Sequence, residues 1–190
     1  MDGYDDYQSD PETTRELFCM WNERLLIAAA AHYSAANYCE ASEKTLSIFN
    51  ISFAISVLFF SSNGAYVGSF MSLFGLSSDY SPLLVSTLSL LVVLSSAAQY
   101  ILQFGNRAAL HKQAGNEFSN LRRKIERYWS KNNIHPEAVH SLNRTYNMIT
   151  KSPPLVGSWT WKKAKRDKIA EADLIKESFY CGVREETARE

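Results

Sequence analysis

The chain has 190 residues, enough for one domain or one compact membrane unit, with 20 basic and 20 acidic side chains and no net charge. That balance and the mean hydropathy of −0.23 describe no part of the chain: residues 1–44 sum to −6, residues 107–190 to +7, and residues 45–106 hold one formal charge, Asp79. Three cysteines (Cys19, Cys39 and Cys181), odd in number and without CxxC or other metal spacing, point away from a disulfide framework and fit reduced cytoplasmic thiols.

Residues 1–11 read as a disordered acidic lead. The start, MDGYDDYQSDPE, is acidic where a targeting segment would be basic, so no signal peptide is expected and the first apolar run should act as its own insertion signal. From Glu12 to Lys44 there is no proline or glycine and alanine is dense, which favours a helix. Leu17, Trp21, Leu25, Ala28, His32, Ala35 and Cys39 recur every three or four residues as one apolar stripe. Nothing stops this helix before Leu46, and it is expected to continue into the run that follows.

Two apolar runs come next, Leu46–Phe60, extendable to about Phe74, and Leu83–Phe104, joined by the hinge GLSSDYSP. A hydrocarbon core about 30 Å thick needs roughly 20 apolar helical residues, which each run can supply. The spacing predicts a two-span hairpin with spans at about 46–66 and 83–104. Ser61–Gly64 is the expected weak point, and residues 65–76 either extend the first span or lie at the interface. Lys44 precedes the first span and Arg107, Lys112, Arg122, Arg123 and Lys124 follow the second, while the hinge has no basic residue. The positive-inside tendency then puts both termini in the cytoplasm.

Ser86, Ser89, Ser96, Gln99, Gln103 and Asn106 fall within one half of the second helix's circumference at 100° per residue. In the first span Ser47, Asn50, Ala54 and Ser61 lie near one face. A glutamine in hydrocarbon is costly without a partner or water, so the six-residue face should avoid lipid. Two readings stay open: a helix-packing surface, or a pore lining formed when copies of the hairpin assemble.

Beyond Arg107 the helix is expected to run unbroken to about Lys131. His111, Ala114, Phe118, Leu121, Ile125 and Tyr128 form a coiled-coil-like seam suited to pairing with the helix that precedes the first span. Pro136 opens another helix with Val139, Leu142, Tyr146 and Ile149 on one face. Ser152-Pro153-Pro154-Leu155 ends it, and Gly157, Trp159 and Trp161 should form an aromatic turn docked on the helical bundle. A last amphipathic helix is expected from Trp161 to Phe179, with a frayed tail at 183–190. Its basic run KKAKRDK reads as a solvated helix rather than a nucleic-acid contact, given Asp167, Glu171 and Asp173 nearby.

The resulting fold class is an all-α membrane protein. A two-transmembrane helical hairpin with a coiled-coil-like extension covers 12–131, and C-terminal cytoplasmic helices cover 132–182. Catalytic signatures are absent: there is no GxSxG elbow and no phosphate loop, and His135 and His140 lack an HExxH frame. No enzyme activity and no cofactor is expected.

The segment AAQYILQFGNRAALHKQAGNEFSNLRRKIE (Ala97–Glu126) resembles the SLATT family, the SMODS- and SLOG-associating two-transmembrane effector domain. The matching elements are Arg107-Ala108, His111-Lys112, Ala114-Gly115, Glu117-Phe118 and Leu121-Arg122-Arg123 at the mouth of the second span. The alanine-rich helix with Arg24, Tyr33 and Tyr38 is similar too, as is the proline-containing turn Ser152–Trp159. The resemblance covers about residues 15–180 and offers no catalytic residues. It implies a bacterial conflict-system effector in the inner membrane, serving antiviral defence by abortive infection. Such an effector would perturb the bilayer as a homo-oligomeric pore when a nucleotide second messenger or a sensor protein triggers it. The alternative from a different class is a membrane-anchored scaffold or sensor that recruits cytoplasmic partners without forming a pore.

Overall fold

The structure, a computed structural model, describes residues 11–187 apart from 63, 74, 76–80, 131–135 and 152. Of the acidic lead read at 1–11, residues 1–10 lie outside the described residues, as does most of the hinge, while Pro11 is the first residue of a helix. Nearly every described residue is helical and none is in a strand. Among the described residues six helices follow in order: α1 (Pro11–Ser62), α2 (Gly64–Leu73), α3 (Ser81–Leu102), α4 (Phe104–Ser130), α5 (Pro136–Lys151) and α6 (Ser158–Thr187).

α1 runs for 52 residues because nothing between Pro11, suited to a helix start, and Gly64 interrupts it. Past Asn63, α2 forms its own short helix from residues whose placement the sequence left open. The helix expected to run unbroken from the second apolar run to Lys131 is instead two helices, parted at Gln103, which has φ +45°. α6 begins three residues before Trp161, its first turn closed by the Trp161 N–H donating to the Gly157 carbonyl at 3.1 Å. It continues past Gly182 to Thr187, through a stretch that holds no proline.

The chain divides into two compact units, with the divisions falling inside α1 and inside α4. The first contains α1 up to Asn37, α4 from Ala109, and α5 and α6. Its core gathers Phe18, Trp21, Leu25 and Ala29 of α1, Ala114, Phe118, Leu121 and Ile125 of α4, and Leu142 of α5. Trp21 stacks on Tyr146 with ring centroids 5.6 Å apart and planes at 12°. The α4 seam is as expected as far as Ile125. Its next member is Trp129, which packs on the core, while Tyr128 is exposed. A straight helix drifts from a strict seven-residue repeat, so the last contact moves one position on. α1 is also buried beyond its expected stripe, at Leu26, Ile27, Ala31 and Ala36. It pairs with α4 as expected and is covered on further sides as well.

The second unit, Tyr38–Ala108, is built the opposite way. Among its described residues only Val67 and Ala108 are buried. Ile48, Ile51, Ile55, Leu58, Leu83, Leu90, Val93, Leu94 and Ile101 all stand exposed. α2 packs against α3, and the Phe60 and Phe70 rings meet at 5.4 Å. Among the described residues there are thus two helices long and apolar enough to cross a membrane. Their most apolar windows have mean hydropathy 1.7, and no residue in either window is buried.

Candidate functional site

Within the second unit the polar groups of α1 and α3 meet. Asn50 Nδ2 donates to Gln99 Oε1 at 3.0 Å, and Gln99 Nε2 donates to Ser47 Oγ at 2.9 Å. The Ser95 hydroxyl donates to Asn50 Oδ1 and also lies 3.2 Å from the Val92 carbonyl. Ser47 and Asn50 are one turn apart on α1, as Ser95 and Gln99 are on α3, so the four side chains cross-link two facing turns. Partners fall in number on α3 as they rise on α1, which makes the helices antiparallel here. The result is a continuous ladder, Ser95–Asn50–Gln99–Ser47, in which both amides bond across the helix pair. In surroundings as apolar as these, an amide left open costs far more than one in a ladder.

The polar stripe read from the sequence is therefore divided. Gln99 turns to α1 and is bonded there. Ser89 is half-buried and its hydroxyl donates to the Val85 carbonyl of its own helix at 2.8 Å. Ser86, Ser96, Gln103 and Asn106 are exposed, the last two joined by Asn106 Nδ2 donating to Gln103 Oε1 at 3.4 Å. Gln103 does not continue the Gln99 row in regular helix, because its left-handed φ interrupts the geometry between them. The backbone bonds persist across this point: Gln103 N–H donates to the Gln99 carbonyl at 3.2 Å and Arg107 N–H to the Gln103 carbonyl at 3.0 Å. Close by, a Cβ on Gly105 would lie 2.8 Å from a Glu43 carboxylate oxygen, so glycine there lets the carboxylate approach the α4 backbone.

Arg107, first of the residues that carry the family resemblance, is exposed in the second unit. Ala108 beside it is buried in the same unit, and the α4 residues of the resemblance from His111 onward lie in the first unit. Phe118 and Leu121 are core residues. His111 is buried against His32, with the two Nδ1 atoms 3.1 Å apart and the ring centroids at 5.3 Å. One ring must donate Nδ1–H and the other accept, so the two imidazoles hold opposite tautomers. The Phe118 ring packs on His32 at 5.3 Å. Burial, and then the charge His111 would carry, push the His32 pKa down to about 4, and burial lowers that of His111. Both rings are neutral at pH 7.

One turn further along α4, Gly115 leaves room for the Tyr33 ring, which a Cβ would approach to 3.1 Å. The Tyr33 hydroxyl donates to Asn116 Oδ1 at 2.7 Å. Arg122 joins three elements: its Nε donates to the buried Asn22 Oδ1 at 2.9 Å and lies 3.0 Å from Glu126, and its Nη1 reaches Glu171 of α6 at 3.4 Å. Lys168 meets the same carboxylate at 2.6 Å. The bond from Lys168, more than the charge of Arg122, holds the Glu171 carboxyl below its usual range. Among the described residues every buried side-chain nitrogen or oxygen has a hydrogen-bond partner.

The sequence puts Asn50 and Ser47 on one face, but their pairing with α3 is not legible in it, and Ser95 is not one of the six residues of the predicted polar face. The usable signal is a polar pair one turn apart on each span, which can face its counterpart. Nor does the sequence link His32 to His111, although each lies on its own apolar stripe. The fold and these two clusters define an all-helical protein, among its described residues, with two helices long and apolar enough to cross a membrane. No family model, curated protein or solved structure matches the chain.

Proposed function

We propose that the protein is a bacterial inner-membrane effector. Its hairpin inserts with both termini in the cytoplasm, and it assembles into homo-oligomers that perturb the bilayer when triggered by a nucleotide second messenger or a sensor partner. The observation that carries the membrane part is the second unit's surface: large aliphatic side chains cover it and its shared polar groups turn inward. Exposing that surface to water would cost about 25 cal/mol per Å² of apolar area, whereas hydrocarbon accepts it. Assembly is supported by Ser86, Ser96, Gln103 and Asn106, polar side chains left exposed on the second unit. Two helices enclose no lumen, so a water path needs several copies related by closed symmetry. The likeness of Ala97–Glu126 to the SLATT family supplies the setting and the kind of trigger.

The bonded state of Gln99 favours a second reading for part of the stripe. There the ladder is a fastener, and the hairpin anchors the first unit as a scaffold or sensor. Reconstitution separates the two readings. Purified protein in dye-loaded liposomes should release dye, and its unregulated expression should collapse membrane potential before lysis. If it reaches the membrane at high level and both readouts stay silent with each candidate nucleotide signal, the effector reading fails and the scaffold stands.

A further inference from the structure

The turn Gly157, Trp159 and Trp161 was expected to dock on the bundle; Trp161 lies towards the packed side of α6 and is 41% exposed, whereas Trp159 does not dock. Leu155, just before the helix, is 98% exposed and Trp159 is 65% exposed. At 100° per residue, Ala164 and Ala172, both buried, lie about 140° and 220° from Trp159. Trp159 therefore points directly away from the packed face. Lys162, Lys163 and Arg166 fall within about 60° of it on either side, and Ile169, 54% exposed, borders the same face. The Lys163 ammonium sits 5.5 Å from the Trp159 ring centroid. Between Pro153 and Arg166 there is no acidic residue. The first, Asp167, meets Arg166 at 3.4 Å in an exposed pair, a contact of small energy that Arg166 can give up.

We infer that Leu155 and the outward face of the first turns of α6, centred on Trp159, form a docking surface for the anionic headgroups of a phospholipid bilayer. The reasons are chemical. An indole with one apolar and one polar edge, beside cations on flexible stems, suits a layer that is wet on one side and hydrocarbon on the other. Lys162, Lys163 and Arg166 match anionic headgroups, each contributing roughly fivefold to association with such a surface. Leu155, in the segment that leads into α6, adds a fully exposed apolar side chain that can insert. This inference rests on the membrane reading above, which places a bilayer within the chain's reach.

The test uses the full chain in lipid nanodiscs, with Cys19, Cys39 and Cys181 replaced by alanine. An environment-sensitive fluorophore is attached to Leu155→Cys or, as control, to Asn143→Cys on the exposed side of α5. In discs containing phosphatidylglycerol, the probe at position 155 should shift to the blue, and doxyl-labelled lipid should quench it at least twofold more than the control. In phosphatidylcholine discs both effects should weaken, and replacing Lys162, Lys163 and Arg166 together by Gln should weaken them in anionic discs while helix content is retained. Equal quenching at the two sites overturns the inference. So does a blue shift that ignores lipid quenchers and grows with the number of chains per disc, which would assign the face to a second copy. If the chain stays out of discs, the membrane reading fails by itself. The probe is then read against added phosphatidylglycerol vesicles, where absence of quenching overturns the docking surface too.

Discussion

The two units are inverses of each other. In the first, Phe18, Leu25, Leu121 and Ile125 are fully buried and the charges lie outside. In the second, side chains of the same type are on the outside, and what the helices share is a ladder of amides and hydroxyls. On the proposed membrane reading, one chain carries two solutions to one problem, that a helix must hide whichever face its solvent rejects. In water that is the apolar face, and packing it is the main source of stability. In hydrocarbon it is the polar face, and helix pairs rely on close packing and hydrogen bonds. The same substitution should therefore have opposite weight in the two units.

The largest effect should come from deleting core volume in the first unit. Phe118→Ala removes a ring packed on His32 and the surrounding core, at a cost of about 3–5 kcal/mol. Leu94→Ala in the second unit, where Leu94 is 56% exposed, should fall within about 0.5 kcal/mol. Denaturant titration in detergent, followed by tryptophan fluorescence for the first unit, checks both. Comparable losses at the two positions would mean that the second unit holds an apolar core after all, or is covered by another copy.

Protonation should separate the units next. His32 is held at about pKa 4 in the folded state against 6.5 unfolded, so the unfolded chain binds the extra proton first. Stability from this group is complete above about pH 6.5 and is lost as pH falls towards 4, by about 3 kcal/mol in all. Replacing His32 and His111 together by Phe should flatten the first unit's stability across that window. The second unit has no histidine, so association of α1 with α3 should stay constant over the same range. A pH slope that survives the double replacement would locate the titrating group elsewhere.

The long periodic elements were legible in the sequence. α1, α5 and the buried side of α4 follow from apolar spacing and the absence of helix breakers, both of which are local properties. What escaped was decided by neighbours. Gln103 lies in a stretch with good helical propensity, and no sequence pattern marks the left-handed turn it adopts. The Asn50–Gln99 pairing depends on the register between two helices, which a composition of Leu, Val and Ser leaves open. Trp159 was expected in an aromatic turn ahead of the last helix; it lies instead within α6, which starts at Ser158 rather than Trp161. The alanine-rich start of α1 suggested one stripe, yet small side chains allow close approach on several sides, and α1 is covered on more than that stripe.

The smallest effect is the one that decides what the ladder is for. Gln99→Leu removes the acceptor for Asn50 and the donor to Ser47, leaving the rest of the ladder incomplete in apolar surroundings. The loss in hairpin association should be about 0.6–2 kcal/mol, the range for hydrogen bonds between helices in membranes. Asn50→Leu should cost a similar amount, since it also breaks the link to Ser95. The double replacement should cost less than the two single changes added together, because no lone amide then remains. Steric trapping of the hairpin in bicelles measures the cycle. Gln103→Leu is the contrast: its side chain is exposed at the break between α3 and α4 and, among the described residues, accepts from Asn106 of α4 rather than bonding to α1. It should leave hairpin association unchanged while altering flux if the exposed part of the stripe lines a water path. Additive single losses at Asn50 and Gln99 would dissolve the ladder as a unit. A Gln103→Leu variant that conducts normally would confine the polar stripe to fastening the helices.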